Sequence, residues 1–350
     1  MNHCPALGSL LGTAVGDAIG LPYENLPPRR AAALLGPPTR HRLLFGRGLV
    51  SDDSEHACMT AVALARSGGD PERFALDLAR QLRWWIAALP AGTGMATARA
   101  ALRLWMGVPP TRSGVRSAGN GPAMRAPILG AAIADPGLLR ALVEASTVLT
   151  HTDRRALDGA LIAAVAARTA STNPHASPAE FAAAIDAWRI PADAEFDALL
   201  RGALASVTSN ESTADFAARS GMSGGVSGFI VHTVPIAMHA WLSSPTDLRR
   251  AVTSCIACGG DTDTTAAIAG GVVGAAVGRD GIPADWLETL WTQPRTESWM
   301  NSVATAACAA AIERTPQRVP TLVWPLVPLR NLTLLSAVLC HGARRLAPRY

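Results

Sequence analysis

Lysine is absent from this 350-residue chain; all 31 basic side chains are arginine, set against 27 acids for a net charge of +4. They fall singly or in pairs such as Arg29-Arg30, Arg154-Arg155 and Arg344-Arg345. A nucleic-acid surface would gather them into a patch or stripe, so no polynucleotide partner is expected. Aromatic residues are scarce, at 5%, and so are the Val and Ile runs of a strand-rich chain. Six cysteines are too few for a disulfide scaffold at this length. The lone Cys255-Ile256-Ala257-Cys258 has small apolar neighbours, which fits buried, reduced thiols and a cytoplasmic setting. No membrane span is expected: the run 266–278 is too short to cross a bilayer, and Arg330 divides the apolar stretch 320–340. The first 22 residues lack a basic start and are interrupted by Asp17, so a signal peptide is not expected either.

Alanine and leucine are abundant, and they lose least on entering a helix. The expected fold is all-α, a compact single-domain multi-helix bundle with a large core. Apolar spacing predicts helices near 6–20, 52–67, 72–89, 95–106, 122–134, 137–149, 154–170, 178–187, 194–207, 228–242, 246–258, 263–277 and 284–292. Ser51 or Asp52, Asp70 before Pro71 and Ser177 before Pro178 are the clearest caps. No repeat or polar linker divides the chain. Residues 1–315 therefore read as one domain, and 316–350, with Pro316, Pro320, Pro325 and Pro328, as an appended element packing on it. A monomer is expected, because no heptad or exposed apolar stripe stands out.

Two acidic motifs carry the strongest chemical signal: Ser51-Asp52-Asp53-Ser54-Glu55 and Gly259-Gly260-Asp261-Thr262-Asp263-Thr264. Each stands at a predicted helix start. Taken singly, each is a helix cap. Taken together, paired carboxylates with neighbouring hydroxyls supply the oxygen ligands that a hard divalent cation takes. Gly119-Asn120-Gly121 reads by itself as a turn.

The segments 12–24 (GTAVGDAIGLPYE), 51–56 (SDDSEH), 119–130 (GNGPAMRAPILG), Thr150-His151, 226–238 (VSGFIVHTVPIAM) and 259–275 (GGDTDTTAAIAGGVVGA) stand in one order. In that order they resemble the motifs of the ADP-ribosylglycohydrolase family, the group of the dinitrogenase-reductase-activating glycohydrolase and crystallin J1. The resemblance runs over roughly residues 8–290 and is most specific at GGDTDT. It implies an all-α fold holding two Mg²⁺ (or Mn²⁺) ions, with Ser51, Asp52 and Asp53 as ligands from one side and Asp261, Asp263 and Thr264 from the other. The implied reaction is hydrolysis of the glycosidic bond of ADP-ribose on a protein side chain, arginine favoured, by a water that Asp53 or Asp263 deprotonates. Glu24 would gate the site or act as acid or base; the plainer reading is a solvated acid in a Pro-rich turn. The implied substrate-binding residues are Gly119, Asn120, Gly121, Met124, Arg125 and His151. The first three would form a pyrophosphate cradle ahead of a helix starting near Pro122. Arg125 is equally open to burial against an Asp or a carbonyl, and Met124 to core packing. Asp17 is expected to play a structural hydrogen-bonding role, His56 and His232 to pack, and Tyr23 and Phe229 to pack in the core rather than stack on adenine. The rival readings are a non-catalytic ADP-ribose-binding module, which should lack one of the four aspartates, a metal-dependent nucleotide phosphohydrolase, and a purely structural protein.

Overall fold

Helices form almost throughout the alanine-rich stretches of the computed structural model, which describes residues 4–190 and 193–346. Met1–His3, residues 191–192 and the last four residues of the expected C-terminal element lie outside the described residues. The helices that frame the site are α1 (Pro5–Gly20), α2 (Asp52–Ser67), α3 (Arg154–Thr172), α4 (Ile230–Ser243), α5 (Thr262–Val277), α6 (Glu297–Glu313) and α7 (Leu326–Leu346). The expected caps form: Ser51, Asp70 and Ser177 each accept a backbone N–H of the first turn.

The centre of the bundle is the α1–α5 crossing. Gly8, Gly12, Gly16 and Gly20 recur every four residues and so share one face of α1. A Cβ on Gly12 would stand 2.1 Å from the Gly270 carbonyl oxygen, and one on Gly270 only 2.3 Å from that of Gly12. The two helices therefore meet backbone to backbone. This approach brings Asp17 of α1 and Asp263 of α5 into one buried volume. α5 is buried on every side through Ala276, as its small and apolar sequence after the first turn, Thr262–Thr265, requires.

Several expected elements are corrected. The helix predicted over 122–134 is two short ones, Gly121–Met124 and Pro127–Ala132. Pro127 has no N–H to continue the first, and its ring excludes the carbonyl four residues back. The element predicted over 284–292 is helical only over Ala284–Thr289, after which Leu290–Trp291 pairs in parallel with Gly48–Leu49. The helices Pro28–Leu35 and α6 were not foreseen. α6 buries Val303, Ala304 and Ala307 in the main core.

Arg330 does not divide the C-terminal stretch. α7 runs through it, and among the described residues this is the one helix long and apolar enough to cross a membrane by length and composition. Its inward face is fastened to the body instead. Arg330 lies 3.2 Å from Glu55 and also donates to the Val50 carbonyl. Asn331 bonds the Ala88 carbonyl at 2.8 Å, and Leu334 packs with Leu21, Leu43 and Leu49. The outward face exposes Leu329, Leu332, Leu335 and Leu339. An apolar stripe is thus present, and the ground for expecting a monomer falls away. It becomes visible only once Pro328 and Arg330 are seen inside a single helix.

Candidate metal and substrate site

The first half of the site is the start of α2. Asp17 accepts the Ser51 N–H at 2.9 and 2.8 Å, the Ser54 N–H at 3.2 Å and the Ser54 hydroxyl at 2.5 Å. Ser51 Oγ takes the Asp53 N–H at 3.3 Å. Asp17 and Ser51 therefore satisfy the Ser51, Asp53 and Ser54 N–H groups at the helix start, which relieves the Asp53 carboxylate of capping. Asp53 Oδ2 accepts from Ser51 Oγ at 3.0 Å and from Thr264 Oγ1 at 3.3 Å. Its Oδ1 is buried without a hydrogen-bond partner.

The second half is the turn before α5. Gly259 and Gly260 have φ of 68° and 79°, the left-handed region that favours glycine. The Gly260 carbonyl takes the Asn25 N–H at 2.7 Å, its N–H bonds Leu26 O at 3.0 Å, and the Asp261 N–H bonds Val226 O at 2.7 Å. A Cβ on Gly260 would stand 2.1 Å from Val226 O, so the turn excludes any other residue. Asp261 occupies the N-cap position of α5, yet its side chain caps nothing. It accepts instead from Asn120 Nδ2 at 2.6 Å. Asp263 Oδ1 is a second buried oxygen without a partner.

Asp17, Asp53 and Asp263, all buried, offer carboxylate oxygens within 4.8 Å of one another. Burial pushes Asp17 up to about 6. Burial and the neighbouring acids hold Asp52, Asp53 and Asp263 well above the usual carboxylate range. A like-charged buried cluster with orphaned oxygens costs free energy unless a cation or protons compensate it. This donor set, carboxylates with Ser and Thr hydroxyls beside them, suits a hard divalent ion.

The cluster borders a cavity of about 500 Å³, within the usual range for small-molecule sites. Glu24, Asp52, Asn120, His151, Asp261 and Asp263 line it, together with Gly119, Gly121, Met124 and Thr264. The structure thus gathers most of the residues singled out by sequence around one space. Ser51 and Asp53 are buried beside it. Arg125 is corrected: fully buried, it donates to the Ser146 hydroxyl and carbonyl, to Thr150 Oγ1 and toward His56 Nδ1, and it does not line the cavity. Those four partners occupy its guanidinium, so it braces the fold beneath His151.

The pyrophosphate cradle is corrected too. The Gly119 N–H already bonds Ser117 Oγ at 3.2 Å, and the Asn120 N–H bonds Gly228 O at 3.0 Å. The helix after it is a single turn, too short for a strong dipole. Asn120 instead orients Asp261. Burial, with the Arg125 charge, pushes the His151 imidazole down to about 3, so it meets the cavity neutral, its Nδ1 2.8 Å from Thr150 Oγ1. Tyr23 is core, its hydroxyl on Gly36 O at 3.1 Å. His56 packs edge-on against Trp85, with ring centroids 4.6 Å apart. Sequence reading gave Asp17 only a structural role; it has that role and is also a member of the acidic cluster. A carboxylate inside a glycine-spaced apolar helix was the signal. Thr97, Ser117 and Ser227 also line the cavity, and no local pattern marks them.

Burial and the Asp261 charge push the Glu24 carboxyl up to about 7 from an ordinary 4.5. Between those values the folded chain holds a proton that the unfolded chain has released. The stability this side chain contributes is therefore full at low pH and lost as pH rises through about 7. Glu24→Gln is expected to match wild type near pH 4. At pH 8 in EDTA it should be more stable by on the order of 2–3 kcal/mol. Urea unfolding at both pH values is the check, and a gap that does not change with pH would refute the assignment.

The family model described as ADP-ribosylglycohydrolase matches residues 5–317. Two relatives are each 28% identical. An uncharacterized protein of Archaeoglobus fulgidus aligns over 80% of this chain and 90% of its own length. The ADP-ribosyl-[dinitrogen reductase] glycohydrolase of Rhodospirillum rubrum aligns over 82% and 90%. A solved structure titled ADP-ribosylglycohydrolase-related protein complex superposes with a TM-score of 0.64 at 25% identity, covering 88% of this chain and 98% of that one. With a family match that spans almost the whole described chain, and with the paired acidic helix starts at its centre, this protein belongs to the ADP-ribosylglycohydrolase family.

Proposed function

We propose that this chain is a divalent-metal-dependent hydrolase that cleaves the glycosidic bond joining ADP-ribose to a protein side chain, arginine first among them, and releases ADP-ribose. The observation that carries this reading is the set of converging buried carboxylates, two with orphaned oxygens, at the wall of a ligand-sized cavity. Family membership supports the hydrolase class. The name of the Rhodospirillum rubrum relative supports a protein-linked substrate.

Ser51, Asp52, Asp53, Asp261, Asp263 and Thr264 would hold two Mg²⁺ or Mn²⁺ ions, with Asp17 behind them. Such ions supply Lewis acidity that lowers the pKa of water and orients ribose hydroxyls. Asp53 or Asp263 takes the proton of the attacking water as that water adds to the anomeric carbon. The surrounding carboxylates stabilise the oxocarbenium character that develops there. Glu24, in the cavity wall with a raised pKa, would give a proton to the leaving group or cover the site. His151, kept neutral, can exchange hydrogen bonds with ribose or phosphate without adding charge. We place the enzyme in the cytoplasm, where its buried Cys255 and Cys258 stay reduced.

The test is release of free ADP-ribose from an arginine-ADP-ribosylated protein with Mg²⁺ and with EDTA. Release with Mg²⁺ and none with EDTA is the expected result. Tight ADP-ribose binding without release from arginine, serine or O-acetyl linkages would leave a binding module. AMP or phosphate as product would mean a phosphohydrolase.

A further inference from the structure

A second cavity, of about 650 Å³, opens beside α2, between the Pro71–Ala87 helix and the segment 320–327 that leads into α7. Much of that wall lies beyond residue 317, where the family match ends. Its chemistry is opposite to that of the acidic site. The walls carry the rings of Trp84, Trp85, Trp299 and Trp324. Trp84 and Trp324 stand edge to face with centroids 5.9 Å apart and remain 52% and 42% exposed. Large aromatic faces left open in a recess, rather than packed away, mark a binding surface.

Three guanidiniums, those of Arg66, Arg80 and Arg295, reach the same space, and among the described residues no acidic one lines it. Arg66 and Arg80 share one carboxylate, Asp77, at 3.5 and 3.0 Å. Arg295, 7% exposed, shares Glu55 with Arg330. Four arginines thus divide two carboxylates, and each guanidinium has more N–H donors than these bonds use. Stacking faces beside surplus cationic donors match a ligand with a planar ring and an anionic group.

We propose that this cavity is a second ligand site, for an aromatic anion of about mononucleotide size. The ring stacks among Trp84 and Trp324, and the anionic group meets Arg66 and Arg80 at the mouth and Arg295 deeper in. The site is separate from the acidic one and does not depend on the hydrolase reading.

The test uses two aromatic anions as probes, AMP and 1-anilinonaphthalene-8-sulfonate, with adenosine and inorganic phosphate as controls. Binding to the full chain in EDTA is followed by tryptophan fluorescence and calorimetry. At least one probe is expected to bind at a single site about tenfold or more tighter than adenosine or phosphate. Trp84→Ala and Arg80→Gln, both at exposed positions, should each weaken it about tenfold, and Asp261→Ala should leave it unchanged. No saturable binding of either probe would overturn the proposal. So would binding that survives Trp84→Ala and Arg80→Gln, or that is lost in Asp261→Ala.

Discussion

Asp261→Ala is expected to lower ADP-ribose release by about 10³-fold or more at saturating Mg²⁺, with no loss of stability. Asp261 lies in the cavity wall, and although it stands at the N-cap of α5 its side chain makes no capping bond. Removing its carboxylate takes one negative charge from a crowded acidic group. The fold therefore loses nothing that the substitution does not also relieve. Asn120→Ala should behave differently. Its amide steers Asp261 through the 2.6 Å bond to Oδ2 and is itself held by a 3.1 Å bond to Thr233 Oγ1. The expected loss is about 10–100-fold, the usual scale for a residue that orients a metal ligand, and excess Mg²⁺ should recover part of it. Measuring release against Mg²⁺ concentration for wild type and both variants separates the two cases. Equal losses in the two variants would refute a merely orienting role for Asn120, and full activity in Asp261→Ala would remove Asp261 from the site.

Glu55→Ala is expected to be the most damaging single change to the fold, at about 3–5 kcal/mol. Glu55 lies two residues beyond Asp53, on the buried side of α2, and is 1% exposed. Burial pushes its carboxyl up, but Arg330 and Arg295 more than offset this and hold it below its ordinary value. It accepts from Trp85 Nε1 at 2.7 Å and Arg295 Nη1 at 2.5 Å, and Arg330 Nη1 lies 3.2 Å away. Truncation would take from two buried guanidiniums their shared carboxylate and from the indole N–H of Trp85 its acceptor. It would also release the strongest tie between α7 and the body. Replacing Glu55, Arg295 and Arg330 together by methionine should recover most of the loss, since buried ion groups contribute little net stability over apolar packing. Urea unfolding of the single and triple variants tests both statements; a Glu55→Ala loss below about 1 kcal/mol would mean that water reaches the triad.

Much of the site was legible because its signals are local. A serine before two aspartates, and a glycine pair before Asp-Thr-Asp, are read within one turn of chain, and each did begin a helix. Arg125 and the Gly119–Gly121 loop were misassigned for the complementary reason. A guanidinium or a backbone N–H has many acceptable partners. Which one it finds depends on Ser146, Thr150 and Gly228, residues that sequence proximity does not connect to it. α7 was misjudged because one arginine in an apolar run looks like a break until a buried acid such as Glu55 is found opposite it.

Composition and helical period alone determined that the chain is helical and that two acidic turns open helices. Those properties depend on side chains within a few residues of one another. Only the tertiary structure decided that Asp17, Asp53 and Asp263 share one volume, because their meeting rests on the contact of glycine backbones where α1 crosses α5. Convergence of charge is a property of helices far apart in sequence, and it is set by how closely two backbones can approach.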